Sequence, residues 1–228
     1  MDASAAEPSS VLRRARPRRV VPEILDTLPP GDREAQRSRR DLRLINAAMR
    51  NRSWFQRTLA ASLRPDDRVL ELGPGDSRLH ELAPATVHWD GIDRLPRPTT
   101  WPAEAHWHCA DILTFAGWRN YSVIVANLVL HHFVAAELQT IGAQLAPHAR
   151  LLLACEPARR RRLQPLFAWF CRAIGASAVT RHDGRVSIDA GFLGHELPTL
   201  LGLVPPAWRG EARIAGLGAY RLVAHRRP

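Results

Sequence analysis

Residues 69–75 read Val-Leu-Glu-Leu-Gly-Pro-Gly, an apolar run that contains an acid and ends in two glycines. The run predicts a buried strand, and Gly73 and Gly75 would let the backbone turn tightly and approach a ligand at the carboxyl end of that strand. Asp93 ends a second predicted strand, and its distance from Gly73 along the chain is typical of an acid that accepts hydrogen bonds from ribose hydroxyls. The three residues therefore predict a site for a nucleoside-containing ligand.

Two further groups of polar residues follow later strands. Asp111 comes after the third predicted strand, where it could either contact a ligand or cap a following helical turn. Asn127, His131 and His132 follow the fourth strand. A neutral histidine is well suited to accept a proton near pH 7, and adjacent residues cannot face the same way, so at most one of the two is expected to act as a general base. The alternative, in which both histidines have structural roles, stays open.

Short apolar strands alternate with helices from residue 68 to about residue 174, which predicts a parallel sheet covered on both faces. The predicted strands cover residues 68–72, 86–93, 106–110, 121–126 and 151–155. A helix is expected from the glycine turn to Leu82, and others at 134–145, 159–174 and 190–201. The last two strands, at 208–214 and 219–224, are too close in sequence for a helical crossover and should pair antiparallel.

The segment before the sheet divides into two parts. Residues 1–30 are rich in Pro, Ser and Arg and are expected to form a disordered leader. Residues 31–228 are expected to form one domain, which begins with a helical cap at about 33–63. The cap is predicted to break near residues 51–53.

The glycine motif resembles the first motif of class I methyltransferases that use S-adenosyl-L-methionine. In that family an acid is followed by glycine at the second, fourth and usually sixth positions. Glu71, Gly73 and Gly75 fit this pattern, whereas Ser77 occupies the sixth position. The resemblance implies an α/β, Rossmann-like three-layer sandwich, with a mainly parallel seven-stranded sheet that ends in an antiparallel hairpin and an N-terminal helical lid.

The resemblance also implies a set of cofactor-binding residues beyond Glu71 and the glycines. Asp93 would bind the ribose, Asp111 would accept a hydrogen bond from the adenine amino group, and Ile112 would pack on the adenine ring. Asn127 would lie close to the methionine portion of the cofactor. His131 and His132 would stand at the mouth of the site as catalytic candidates.

Two segments, 41–46 and 127–133, are similar to bacterial methyltransferases encoded beside type III polyketide synthases. This similarity implies O-methylation of a small phenolic, polyketide-like or quinone-like acceptor, aromatic or lipid-like in character. Alternatives are a catalytically impaired binding protein, suggested by Ser77, and an RNA- or nucleotide-modifying enzyme, suggested by the basic composition. Nucleic acid is not the expected partner, because Asn127-Leu128-Val129-Leu130 lacks the Asn/Asp-Pro-Pro-Tyr/Phe motif. A nicotinamide-dependent oxidoreductase is disfavoured because the dinucleotide fingerprint needs glycine where Arg78 stands.

The amino-acid composition limits the types of reaction, cross-link and membrane segment that we expect. The formal net charge is +10, and all 32 basic residues are arginine, so no Schiff-base lysine exists. The 3 cysteines form no CxxC pair, and no metal-ligand cluster is evident, so we expect neither a disulfide framework nor a bound metal. No apolar run approaches the ~20 residues of a membrane span, and we expect a cytoplasmic protein.

Overall fold

Seven strands form one sheet in the order β3-β2-β1-β4-β5-β7-β6. The computed structural model describes residues 16–29, 31–75 and 77–227. β1 to β5 run parallel, and β7 pairs antiparallel with both β5 and β6. The fold class predicted from the sequence is therefore confirmed. The strands are β1 (Arg68–Leu72), β2 (His88–Asp93), β3 (Trp107–Cys109), β4 (Val123–Asn127), β5 (Leu151–Pro157), β6 (Trp208–Ala215) and β7 (Ala219–Arg226).

Helices cover both faces of the sheet because the central strands are buried on both sides. Trp54, Phe55 and Leu59 of α2 pack on one face, and Leu138 and Ile141 of α3 belong to the core on the other. The helices are α1 (Arg33–Ala48), α2 (Asn51–Ser62), α3 (Ala135–Leu145), α4 (Gln164–Ala173), α5 (Ala178–Ala190) and α6 (Glu196–Leu200). Among the described residues, none of the helices combines the length and the apolar character needed to cross a bilayer.

The helical cap breaks at the joint between α1 and α2, slightly before the predicted break. Arg50 adopts a left-handed backbone conformation with φ 55°, which ends α1 and redirects the chain. Arg221 of β7 donates a hydrogen bond to the carbonyl oxygen of Met49 at 2.9 Å. An arginine at this place satisfies a carbonyl group left unpaired at the helix end.

Three helix predictions differ from the structure. The helix expected up to Leu82 is only a 3-10 segment, Leu79–Leu82. The helix expected at 190–201 shortens to α6, because the chain at Gly194 has φ 50° and cannot continue a right-handed helix. α5 was not predicted, and it begins where the Ser177 side chain accepts a hydrogen bond from the Thr180 amide at 3.0 Å.

Residues 16–29 lie against the domain, whereas the sequence predicts disorder for all of 1–30. Arg18 is the main attachment point, and it donates hydrogen bonds to the carbonyl oxygens of Ala190 (2.6 Å), His131 (2.8 Å) and Phe133 (2.7 Å). Its guanidinium also lies 4.5 Å from the ring centroid of Phe192. Residues 1–15 and residue 30 lie outside the described residues.

A second attachment point holds the same segment to α5. The Asp183 carboxylate accepts hydrogen bonds from the amides of Ile24 and Leu25, both at 2.9 Å. The two amides open the 3-10 turn Leu25–Thr27, so the carboxylate acts as its anchor. Polar contacts with distant residues, rather than apolar content, order this segment, and composition does not reveal them.

We expect Arg18→Ala to destabilise the protein by about 2 kcal/mol or more, because several hydrogen bonds from a charged donor would be lost together. Urea denaturation measures the change in the free energy of unfolding. Arg19→Ala is the matched control, since the Arg19 side chain is exposed on the same segment. Equal stability of the two variants would contradict a docking role for Arg18.

Candidate functional site

The glycine loop follows β1 at the point where the strand order reverses. Gly73 and Gly75 both lie in the left-handed region, with φ 55° and φ 53°. A Cβ atom on Gly73 would come within 2.6 Å of Cγ2 of Val129, whereas a Cβ atom on Gly75 would meet nothing within 4 Å. Packing therefore requires glycine at Gly73, and Gly75 borders open space at the carboxyl end of the sheet.

Asp93 connects the end of β2 to this loop. Its Oδ2 atom accepts a hydrogen bond from the Gly75 amide at 3.0 Å, and its Oδ1 atom accepts one from the Leu95 amide at 2.9 Å. The Gly73 amide donates to the carbonyl oxygen of Ile92 at 2.8 Å. Each carboxylate oxygen keeps a further acceptor site, so Asp93 can organise the loop and still accept hydrogen bonds from a ligand.

Glu71 is completely buried beneath the loop. Trp89 Nε1 donates to Oε2 at 3.0 Å, while Oε1 has no hydrogen-bond partner among the described residues. Burial raises the pKa of Glu71 to about 7, although Ser77 and Trp89 stabilise the anion and act in the opposite direction. A buried oxygen without a partner is rare, so Oε1 remains available to accept a hydrogen bond from a ligand.

We expect Glu71→Gln to become progressively more stable than the wild type as the pH rises from 4.5 to 8. The ordinary pKa of a glutamate carboxyl, 4.5, rises to about 7 in the fold, so the folded wild type binds the extra proton in this interval. Its stability is complete at low pH and falls by up to about 3 kcal/mol as the pH rises through 7. Urea denaturation of both proteins at pH 5 and pH 8 measures this. A stability difference that does not change with pH would contradict the raised pKa.

Asp111 and Ile112 stand where the third strand turns into a 3-10 segment. Asp111 Oδ1 accepts a hydrogen bond from the Leu113 amide at 2.9 Å, and Arg94 lies 2.6 Å from Oδ2. The capping role left open for Asp111 is thus present in the structure. Ile112 is 6% exposed and belongs to the core, which leaves little of its surface free for a ring. The adenine contacts of both residues remain predictions.

Asn127 ends β4 and lies beside the joint of the helical cap. Asn46 Oδ1 accepts hydrogen bonds from Asn51 Nδ2 at 2.8 Å and from Asn127 Nδ2 at 3.4 Å. Asn51 is buried, and its Oδ1 atom has no hydrogen-bond partner among the described residues. The three amides bring the helical cap to the carboxyl end of β4, and its role as a lid remains a prediction.

The chain then turns sharply at Leu128, a non-glycine residue with φ 57°. This turn brings Val129 against Gly73 and so joins the loops that follow β1 and β4. Strained conformations of this kind concentrate where a backbone is held for function. The structure thus brings together Glu71, Gly73, Gly75, Asp93 and Asn127 around one edge of the sheet.

His131 is buried between two carboxylates. Its Nδ1 atom lies 2.7 Å from Glu156 Oε2, and its Nε2 atom lies 3.3 Å from Glu23 Oε1. Burial alone would lower the pKa of His131, but hydrogen bonds with Glu156 and Glu23 outweigh it and raise the pKa to about 9. A charged imidazolium has no lone pair, so these surroundings favour the structural role for His131 over that of a general base.

His132 is more open than its neighbour, with 29% of its side chain exposed. Its Nδ1 atom lies 3.3 Å from Asp26 Oδ2, and its Nε2 atom lies 4.0 Å from Glu23 Oε1. Sequence analysis did not identify Glu23 or Asp26 as site residues, because both lie in the segment expected to be disordered. Glu156, at a strand end that faces the site, could have been found from its position in the fold.

Comparison with known proteins gives matches to solved structures alone: no family model matches the chain, and no curated protein does. The plantazolicin methyltransferase BpumL in complex with SAH aligns with a TM-score of 0.65 at 13% identity, over 90% of this chain and 93% of BpumL. N-methyltransferase NodS from Bradyrhizobium japonicum WM9, bound to S-adenosyl-L-homocysteine (SAH), aligns with a TM-score of 0.51 at 17% identity, over 78% and 86%. Magnesium protoporphyrin IX methyltransferase (ChlM) from Synechocystis PCC 6803, with bound SAH, aligns with a TM-score of 0.52 at 15% identity, over 79% and 83%. At these identities the likeness shows a shared fold.

Proposed function

We propose that this chain is a methyltransferase that uses S-adenosyl-L-methionine. One observation carries the proposal. The Gly75 amide donates a hydrogen bond to Asp93 beside open space, and the unpartnered Oε1 atom of Glu71 lies buried below the same loop. A carboxylate can accept hydrogen bonds from ribose hydroxyls, and an oxygen with a free acceptor site suits an amino-acid ammonium. The shared fold of three methyltransferase structures with bound SAH supports this assignment.

Each residue at this edge of the sheet has a separate role in the proposed cofactor site. Asp93 accepts hydrogen bonds from the ribose hydroxyls, and the glycines admit the cofactor close to the backbone. Glu71 faces the ammonium of the methionine portion, and Asn127 lies at the same portion from the end of β4. Asp111 is assigned to the adenine amino group, in addition to its capping bond, because a carboxylate oxygen can accept two hydrogen bonds.

The cofactor supplies a methyl group on a sulfonium, which an acceptor oxygen displaces in line. The protein contributes mainly by aligning the two reactants, which can lower the barrier by ~7–11 kcal/mol. We assign the role of general base to His132, because its ring is partly exposed whereas His131 is buried between Glu156 and Glu23. The phenolic hydroxyl from which His132 would remove the proton has a pKa of ~10, so such a base would assist the reaction.

The proposed acceptor is a small phenolic, polyketide-like or quinone-like molecule, and the reaction is O-methylation. Support comes from the similarity of segments 41–46 and 127–133 to methyltransferases encoded beside type III polyketide synthases. A histidine base in the segment after β4 can accept the proton that such a hydroxyl group must lose.

Isothermal titration calorimetry with SAH tests the proposal. We expect binding at one site per chain, together with a rise in melting temperature that follows the ligand concentration. NADH is the matched control, since it carries an adenosine but no amino-acid portion. Absence of SAH binding by the folded protein, or equal binding of NADH, would overturn the cofactor assignment.

A further inference from the structure

Three side chains outside the proposed cofactor-binding residues lie together, and one of them is His132, the proposed general base. Glu23, His131 and His132 each offer one ligand atom, and these atoms all lie within 4.8 Å of one another. Glu23 Oε1 is 3.3 Å from His131 Nε2 and 4.0 Å from His132 Nε2. The group joins residue 23, near the start of the described chain, to two adjacent residues that follow β4.

One of these separations is that which a tetrahedral metal ion imposes on its ligands, and the distance from Glu23 to His132 is wider. Zinc lies ~2.0–2.1 Å from histidine nitrogen and from carboxylate oxygen, so neighbouring ligand atoms are separated by roughly 3.3 Å. The distance between Glu23 Oε1 and His131 Nε2, 3.3 Å, agrees with this value. Binding would require the partly exposed His132 ring to bring its Nε2 atom closer to Glu23 Oε1 than 4.0 Å.

Carboxylates orient both histidines from the side away from this centre. Glu156 Oε2 lies 2.7 Å from Nδ1 of His131, and Asp26 Oδ2 lies 3.3 Å from Nδ1 of His132. A histidine that binds a metal through one ring nitrogen usually donates its other N–H to such an oxygen. Ser187 Oγ donates a hydrogen bond to Glu23 Oε1 and holds that carboxylate in place.

The charges of the cluster also suit a divalent cation. Glu23 and Glu156, which are buried, and Asp26, which is exposed, bring three carboxylates to two imidazole rings. Buried carboxylates need compensation by positive charge, and a divalent ion provides it at the point where the ligand atoms converge. Imidazole and carboxylate ligands together favour zinc or a similar first-row metal over magnesium or calcium.

We propose that Glu23, His131 and His132 bind a zinc-type divalent ion, with the fourth tetrahedral position open and with release of the proton from Nε2 of His131. The ion would attach residues 16–29 to the segment after β4, and in the metal-bound protein His132 would not serve as a general base, because the metal would occupy the lone pair of its Nε2 atom. This proposal does not depend on the cofactor assignment. The sequence predicts no metal because Glu23 lies 108 residues before His131 and the three ligands follow no known spacing.

The test uses the full-length protein, treated with a chelator and then titrated with Zn²⁺ by calorimetry and with Co²⁺ by visible absorption. We expect one ion per chain, an absorption band of tetrahedral Co²⁺, and a higher melting temperature with Zn²⁺. His132→Ala should fold, because this side chain is partly exposed, and should lower Zn²⁺ affinity at least a hundredfold. His88→Ala is the matched control, since exposed His88 starts β2 at the opposite edge of the sheet.

Asp26→Asn keeps all three ligands and tests the orienting contact, and we expect a 10- to 100-fold loss of affinity. Failure of the wild type to bind one Zn²⁺ ion per chain would overturn the proposal. So would unchanged affinity in His132→Ala, or an equal loss of affinity in His88→Ala, because the ion would then be bound elsewhere.

Discussion

Asp93→Ala is expected to lower the affinity for SAH at least a hundredfold. The variant would lose two hydrogen bonds from ribose hydroxyls to a charged acceptor, each worth ~1.5–3 kcal/mol. It would also lose the bonds that Asp93 accepts from the amides of Gly75 and Leu95, at 3.0 Å and 2.9 Å, which hold the loop in its binding geometry. Calorimetry measures the affinity, and the melting temperature without ligand measures any effect on the fold.

Asp66→Ala is the matched control for this experiment. Asp66 is exposed and precedes β1 at the amino end of the strand, so it lies at the edge of the sheet opposite to the proposed site. We expect it to bind SAH as the wild type does. If Asp93→Ala binds SAH with unchanged affinity while the wild type does bind it, Asp93 does not belong to the cofactor site.

Gly73→Val is expected to abolish measurable SAH binding. A valine side chain would enter space already occupied by Val129, since even its Cβ atom would lie 2.6 Å from Cγ2 of that residue. The φ angle of 55° is also unfavourable for a β-branched residue, so the loop would have to move. Displacement of the loop would separate the Gly75 amide from Asp93 and disrupt the preformed binding site at this edge of the sheet.

Two further variants separate steric overlap from a general loss of stability. Gly31→Val is the matched control, because a Cβ atom at Gly31 meets nothing within 4 Å, and it should bind SAH normally. Gly73→Ala combined with Val129→Ala removes the atoms that overlap and should recover part of the affinity that Gly73→Ala alone loses. Normal binding of SAH by Gly73→Val would show that this loop does not hold the cofactor.

The local sequence pattern is sufficient to predict much of the sheet and the residues at one edge of the site. Strands such as β4 are continuous apolar runs that can only be buried, and the spacing of β6 and β7 excludes a crossover, so their antiparallel pairing follows. Gly73, Gly75 and Asp93 were identified because neighbours at strand ends share one edge of a parallel sheet. Those inferences require no knowledge of distant contacts.

Short polar helices were less predictable. α5 has a mixed composition that includes Gly184, and its position depends on packing against α1 and α4. The 3-10 segment after the glycine loop was equally hard to predict. Its residues can form a helix, but the segment is only four residues long. Tertiary packing overrides weak local preference in both cases.

The surroundings of the histidine pair could not be obtained from local pattern. Its partner Glu23 lies in a segment whose composition indicates disorder, and the segment is ordered by contacts of Arg18 and Asp183 with residues more than 100 positions away. Strand periodicity and glycine turns are properties of neighbouring residues, and they persist in the sequence as spacing. Residues that form a hydrogen bond or a ligand set across such separations have no fixed spacing in the sequence, because the loop between them can close over many different lengths. A search for local patterns therefore does not find them.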